Sequence, residues 1–227
     1  MAITFVNVNS ATTGTATLTI TKPTGTTTDD FLIAVVSGFR AGADFTITNP
    51  SGWTELWEDS YDNGGDIQRV WIGWLKAGGS EPANYAWTVT AWDDACGAIS
   101  CYRGVDTSSP IDASGRNTNT SSAVPTAPTI SPATSNAMLL YVVGSSAVSP
   151  NTAPGGMTER VDTANGIDDG VYMADEQLVA SGPTGTRLGT VGTNGDNSAA
   201  NIALRASSGI TPSLDDEASW ITIAQAA

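Results

Sequence analysis

The stretches DDFLIAVVSG, residues 29–38, and NAMLLYVVGS, residues 136–145, are two versions of one design. Each holds an unbroken apolar run, FLIAVV (31–36) directly after Asp30 and MLLYVV (138–143) after Asn136 and Ala137, and each run ends at Ser or Gly. A strand that is apolar on both faces must be covered on both faces. Both segments therefore read as central strands of a packed β structure, and as core residues only.

The likeness extends outward from these two strands. Phe31 lies over Met138, Ile33 over Leu140 and Val36 over Val143. RVWIGWLKAGG (69–79) falls on YMADEQLVASG (172–182), which sets Leu75 over Leu178, Ala77 over Ala180 and Trp74 over Gln177. GAISCYR (97–103) meets AANIALR (199–205), with Ile99 set over Ile202. LTI (18–20) and PTI (128–130) are each followed shortly by a proline, and PSGWTE (50–55) returns as PGGMTE (154–159). The last pair reads as a turn that delivers Trp53 or Met157 into the core. The blocks keep their order, so the chain reads as an internal duplication of about 100 residues, the size of a small β-sandwich.

Around the central segments, TATLTIT (15–21), WTELWE (53–58), QRVWIGWL (68–75), YAWTVT (85–90) and GAISCYR (97–103) are strand-like and separated by Gly, Pro, Asn and Asp. No window carries a helical period. The expected fold is all-β: a jelly-roll-like β-sandwich built from two pseudo-repeats, residues 1–106 and 107–207, with a C-terminal arm at 208–227. The polar stretch 105–128 reads as a linker or as a crossover. The sequence is compatible with two tandem sandwiches or with one interleaved sandwich.

Composition narrows the function. The chain has 227 residues, with 23 acidic side chains against 9 basic ones and a net charge of −14, which disfavours nucleic acid and anionic membranes as partners. No apolar run reaches the length of a membrane-spanning helix, and MAITFVNVNS is not a secretion signal, so synthesis is expected in a cytoplasm. Cys96 and Cys101, five apart on one strand, fall on opposite faces and read as reduced packing residues.

Histidine is absent, which removes the commonest general base and most zinc sites. The acidic pairs Asp29/Asp30, Asp93/Asp94, Asp168/Asp169 and Asp215/Asp216 occupy turn-like settings and read as solvated turn acids. YDNGGD (61–66), NGIDDG (165–170) and TNGDNS (193–198) offer oxygens of the kind calcium takes, but lack the spacing of a calcium loop and read as hairpin tips. No metal and no cofactor is expected, and no enzymatic activity.

Six of the seven tryptophans lie in the first repeat. Trp53 and Trp57 align with Met157 and Val161 and read as buried. Trp74 aligns with a glutamine and reads as exposed, an aromatic platform for a glycan or a protein contact. At the C-terminus, SWITIAQ (219–225) reads as a strand that either closes the protein's own core or, the reading preferred, docks to a partner through Trp220, Ile221 and Ile223.

The succession DDFLIAVVS, PSGWTEL, WLKAGGSEP, YAWTVT and AISCYRGVDTSSPID, with a second copy ending NIALRASSG, resembles a group of bacteriophage virion structural proteins and related bacterial surface modules. The resemblance spans about residues 15–207 and carries over no catalytic residue. It implies a non-enzymatic virion protein of the tail-fibre or head-decoration type. The expectation is a capsid decoration (cement) protein on the head exterior, homo-oligomeric and bound to the major capsid protein or other virion proteins. The alternative is a carbohydrate- or receptor-binding module of a tail fibre or bacterial surface.

Overall fold

The computed structural model describes residues 2–89, 92–147, 151–166 and 169–208, and is all-β. In the first half, β1 (Thr4–Thr13), β2 (Thr17–Thr21), β3 (Phe31–Arg40), β4 (Thr54–Asp62), β5 (Ile67–Lys76), β6 (Asn84–Thr88) and β7 (Asp94–Arg103) follow one another. In the second come β8 (Ile111–Ser122), β9 (Thr126–Ala127), β10 (Met138–Ser145), β11 (Thr158–Asn165), β12 (Asp169–Gln177), β13 (Arg187–Leu188) and β14 (Gly195–Leu204). Among the described residues no helix is long and apolar enough to cross a membrane.

Two five-stranded antiparallel sheets form the body, ordered β1-β7-β3-β5-β4 and β11-β12-β10-β14-β8, and two short pairs, β2-β6 and β9-β13, accompany them. Among the described residues no sheet mixes strands of the two halves. The large sheets pack face to face, with Ile33, Val35, Ile72 and Tyr102 of one against Leu140, Val142, Met173 and Ile202 of the other. The outer face of the first sheet is covered by β2-β6 through Leu18, Ile20, Tyr85 and Trp87. On the second sheet, Ala127 of β9 packs with Tyr141 and Tyr172. Four layers result: two sandwiches joined back to back through a shared central core.

The layering explains the two all-apolar strands. β3 and β10 are the middle strands of their sheets, and each alternates its side chains between the central core and an outer one. Cys96 enters the central core and Cys101 an outer one, and both thiols are free.

The two hexapeptides form the same turn. Trp53 N–H donates to the Pro50 carbonyl at 3.3 Å and Met157 N–H to that of Pro154 at 3.1 Å. Gly52 and Gly156 have φ of 89° and 90°, the left-handed geometry that the third residue of a type II turn requires. Each turn feeds an edge strand with a register shift at the same place, between Glu55 and Trp57 and between Glu159 and Val161.

Counted from these turns, the β4–β5 and β11–β12 ladders correct three of the alignments, and the ladders of β3 and β10 a fourth. Thr54 faces Trp74 and Thr158 faces Asp175, so Trp74 corresponds to Asp175, not to Gln177. The same two-residue shift pairs Leu75 with Glu176 and Ala77 with Leu178. Phe31 and Met138 do correspond, because they face Lys76 and Gln177. Ile99 and Ile202 do not: Ile33 faces Ser100 while Leu140 faces Ile202. Ile202 belongs to the central core and Ile99 to an outer one, since a slip of one residue along a strand reverses every face.

The stretch 105–128 is no linker. Half of it is β8, the twelve-residue edge strand paired with β14. Its polar composition suits an edge whose residues are half-buried or exposed.

Candidate functional site

At one end of the central layer the inward-facing residues change character. β3 presents Phe31, Ile33 and Val35 to the central core and then Ser37, while β5 presents Ile72 and Val70 and then Gln68. β14 passes from Ile202 and Ala200 to Ser198 and Asp196, and β12 from Met173 and Val171 to Asp169. All these polar residues are buried, and a buried polar group left unpaired costs about 1–3 kcal/mol.

Their hydrogen bonds knit the two large sheets together. Gln68 Nε2 donates to Ser37 Oγ at 3.0 Å, and Ser37 Oγ to Asp169 Oδ1 at 3.0 Å. Ser198 Oγ donates to Asp59 Oδ2 at 2.6 Å and shares a 2.8 Å bond with the Tyr61 hydroxyl. Arg116 of β8 reaches Asp59 of β4 at 2.8 Å, with its guanidinium over the Trp57 ring. Burial pushes the Tyr61 phenol well above its usual range, so it stays a neutral hydroxyl.

Outside this network lies a cleft of about 440 Å³, lined by Phe39, Asn63, Asp66, Gln68, Ser146, Thr193 and Asn194. Asn63 and Asp66 belong to the β4–β5 hairpin tip, which Gly64 and Gly65 turn with φ of 76° and 102°. Asn63 N–H donates to the Asp66 carbonyl at 3.0 Å and Gly65 N–H to Asp62 Oδ1 at 2.7 Å, which closes the tip. Asn63 Nδ2 then crosses to Asp196 Oδ2 of the second half at 2.8 Å. Asp196 Oδ1 accepts from Ser121 N–H at 2.8 Å, so both its oxygens are engaged. Behind the rim, Gln68 is 2% exposed, and its Oε1 has no hydrogen-bond partner among the described residues.

Two of the three loops with oxygens of the kind calcium takes, YDNGGD and TNGDNS, thus face each other across this cleft. In the second, Asp196, Asn197 and Ser198 belong to β14 and not to a hairpin tip. Residues 167–168 of the third loop lie outside the described residues. Among the described residues, no three His, Cys, Asp or Glu side chains gather as a metal would require.

Trp74 is no free platform. It is half-buried against the central core and stacks on Phe31, with centroids 5.0 Å apart and planes at 26°. Trp57, expected inside, is also half-buried, whereas Trp53 is buried among Trp71, Tyr85 and Trp87. Trp220, Ile221, Ile223 and the pair Asp215/Asp216 lie outside the described residues.

The acidic pairs are not all solvated. Asp30 is buried: burial raises its carboxyl, but the Arg103 fork at 2.7–2.8 Å and the Thr27 N–H outweigh that and hold it below the ordinary 3.8. Asp169 is buried behind the cleft, where β12 enters the central layer. Burial pushes both thiols up, Cys101 to about 12, so neither is a nucleophile at neutral pH.

Sequence reasoning passed over Gln68, Ser37 and Phe39. The signal is a polar residue at an inward position of a strand otherwise apolar on that face, as Gln68 is in IQRVWIGWL.

The fold and the cleft define an all-β double sandwich with a polar mouth between its halves. No family model, no curated protein and no solved structure matches the chain.

Proposed function

We propose that the protein is a non-enzymatic structural protein of a tailed-bacteriophage virion, a capsid decoration (cement) protein that binds the major capsid protein on the head exterior as a homo-oligomer. The observation that carries this reading is what the buried charges are used for. Asp59, Asp30, Asp175 and Asp112 each pair with an arginine, Arg116, Arg103, Arg160 and Arg205, at 2.7–2.8 Å. Tyr102 of the first sheet also donates to Asp175 of the second at 2.9 Å. Asp59–Arg116 joins the two large sheets and the other three pairs tie neighbouring segments within a half, so the buried charges are used as internal braces, which suits a rigid, load-carrying module. The net charge of −14 suits a protein that adds to a shell from outside without engaging the packaged nucleic acid.

An internal duplication is part of the same reading, supported by the corresponding strand orders and the twin turns. Quantitative mass spectrometry of purified virions tests the proposal: hundreds of copies per particle are expected. A handful of copies, or none, overturns it.

A second reading, a carbohydrate- or receptor-binding module of a tail fibre or bacterial surface, is favoured by the polar cleft between the halves.

A further inference from the structure

The cleft has a chemistry that narrows its occupant. Its lining holds amides, hydroxyls, one carboxylate and one phenyl ring, with no lysine or arginine. Anions are therefore excluded by what the site lacks. Its accessible groups include both acceptors and donors, the donors being the Asn194 amide and the Thr193 hydroxyl. Asn63 gives its Nδ2 to Asp196, which leaves Oδ1, and Asp66 takes the Gly42 N–H on Oδ1 at 3.2 Å, which leaves Oδ2; the unpartnered Gln68 Oε1 is itself buried behind them and is not open to the cleft.

A ligand that satisfies these groups must bring donors and acceptors together, as a hydroxyl does. A divalent cation takes about 6–8 oxygens at close range. The cleft does not offer them: Asp196 has both oxygens engaged, and no acidic cluster of three stands among the described residues. The volume of about 440 Å³ is also that of an organic molecule, within the range of about 300–1,000 Å³ of small-molecule sites. Hydroxyl groups on a compact neutral ring system match the acceptors, and Phe39 gives one apolar surface for a C–H face.

From this we infer that the cleft between the two halves is a saccharide-binding site, taking a neutral sugar of roughly one or two rings. The site is pre-formed by cross-sheet hydrogen bonds, and both halves contribute to it: Phe39, Asn63, Asp66 and Gln68 from one, Ser146, Thr193 and Asn194 from the other. The inference rests on the binding-module reading and needs no statement about position on a virion.

The test is a titration of the full-length protein, followed by amide NMR, with glucose, galactose, N-acetylglucosamine, maltose, lactose and diacetylchitobiose, and separately with calcium chloride. At least one sugar should give saturable shifts centred on Phe39, Asn63, Gln68, Ser146 and Asn194. Asp66→Asn and Asn194→Ala, both at exposed positions, should keep the unperturbed spectrum elsewhere and weaken that sugar about tenfold, the loss of one hydrogen bond of this kind. Absence of saturable shifts with all six sugars overturns the inference, as do shifts centred on Trp74 or a response to calcium alone. None of these outcomes alters the copy number in virions, so the two readings fail separately.

Discussion

Gly144 shows how tightly the two large sheets are fitted. A methyl group there would run into both Val70 methyls of the facing sheet, and a β-branched side chain cannot rotate out of the way. Gly144→Ala is expected to cost about 1–3 kcal/mol, the penalty of overpacking, and Val70→Ala in the same chain should relieve part of it. Urea unfolding of the two single variants and the double variant measures both effects. Trp53→Ala should cost about 3–5 kcal/mol, because it empties a place among three other aromatic rings. Trp74→Ala should cost only about 1–2 kcal/mol, since Trp74 is half-buried and rests mainly on Phe31. Thermal melts rank the two. At Asp30 the dependence on pH has a definite sign. A carboxyl held below 3.8 in the folded state contributes stability above that pH and loses it as the pH falls through the folded value. Asp30→Asn should therefore be less stable than the parent at pH 7, and the gap should close in unfolding curves recorded below pH 3.8.

At the scale of the strand, the sequence displays what is regular and conceals what is traded between elements. β3 and β10 are legible because burial on both faces leaves an unbroken apolar run. β8 is not, because an edge strand with half-buried polar residues has the composition of a loop. The alignment slips have a similar cause: Ile99 and Ile202 are both core residues, and only the ladder reveals that they face different cores. The uneven tryptophans follow from compensation between neighbouring strands. The bridges Thr48 to Thr88 and Thr152 to Thr190 make Trp87 the counterpart of Gly189. Ala34 faces Gly73 on β5 and Tyr141 faces Ala174 on β12, so Ala34 is the counterpart of Tyr141. One outer core holds both a tryptophan from the short strand, Trp87, and a small residue from β3, Ala34. In the other a tyrosine on β10 reaches out, and a side chain at Gly189 would meet its hydroxyl at 2.7 Å. The cleft was half legible: its two loops were marked by their Asn, Asp and Gly, but their meeting depends on the packing of one sheet on the other. That packing is braced by Arg116 and Asp59. Arg116→Met should cost about 2–4 kcal/mol, below the full penalty for a broken buried pair because Arg116 keeps a third of its side chain in solvent. A double variant that also carries Asp59→Leu should recover part of that loss in the same unfolding assay.

At the scale of the whole molecule, neither half is complete alone. Residues 1–106 and 107–208 each own a five-stranded sheet whose inner face is covered only by the other, and a face of that size is not left in water. Expressed separately, each half should aggregate or self-associate, whereas co-expression should yield a one-to-one complex by size-exclusion chromatography. The first half is synthesised first, so its apolar face must wait for the second.

The strand directions give the molecule two poles. Ser207 N–H donates to the Gly104 carbonyl, and Gly104 lies against Ala2 and Ile3, so the described chain enters and leaves at the pole where β3 begins. Phe39 and the cleft lie where β3 ends, a ten-residue strand away, or roughly 30 Å at the usual rise. Whatever holds this protein by either of those ends therefore aims the cleft outward, away from the point of attachment. A bulky domain fused directly after Ser208 should leave a sugar titration unchanged, whereas the same domain inserted at Gly64 should abolish it. The described chain ends and the cleft thus occupy opposite poles, and the length of a β-strand sets the distance between them.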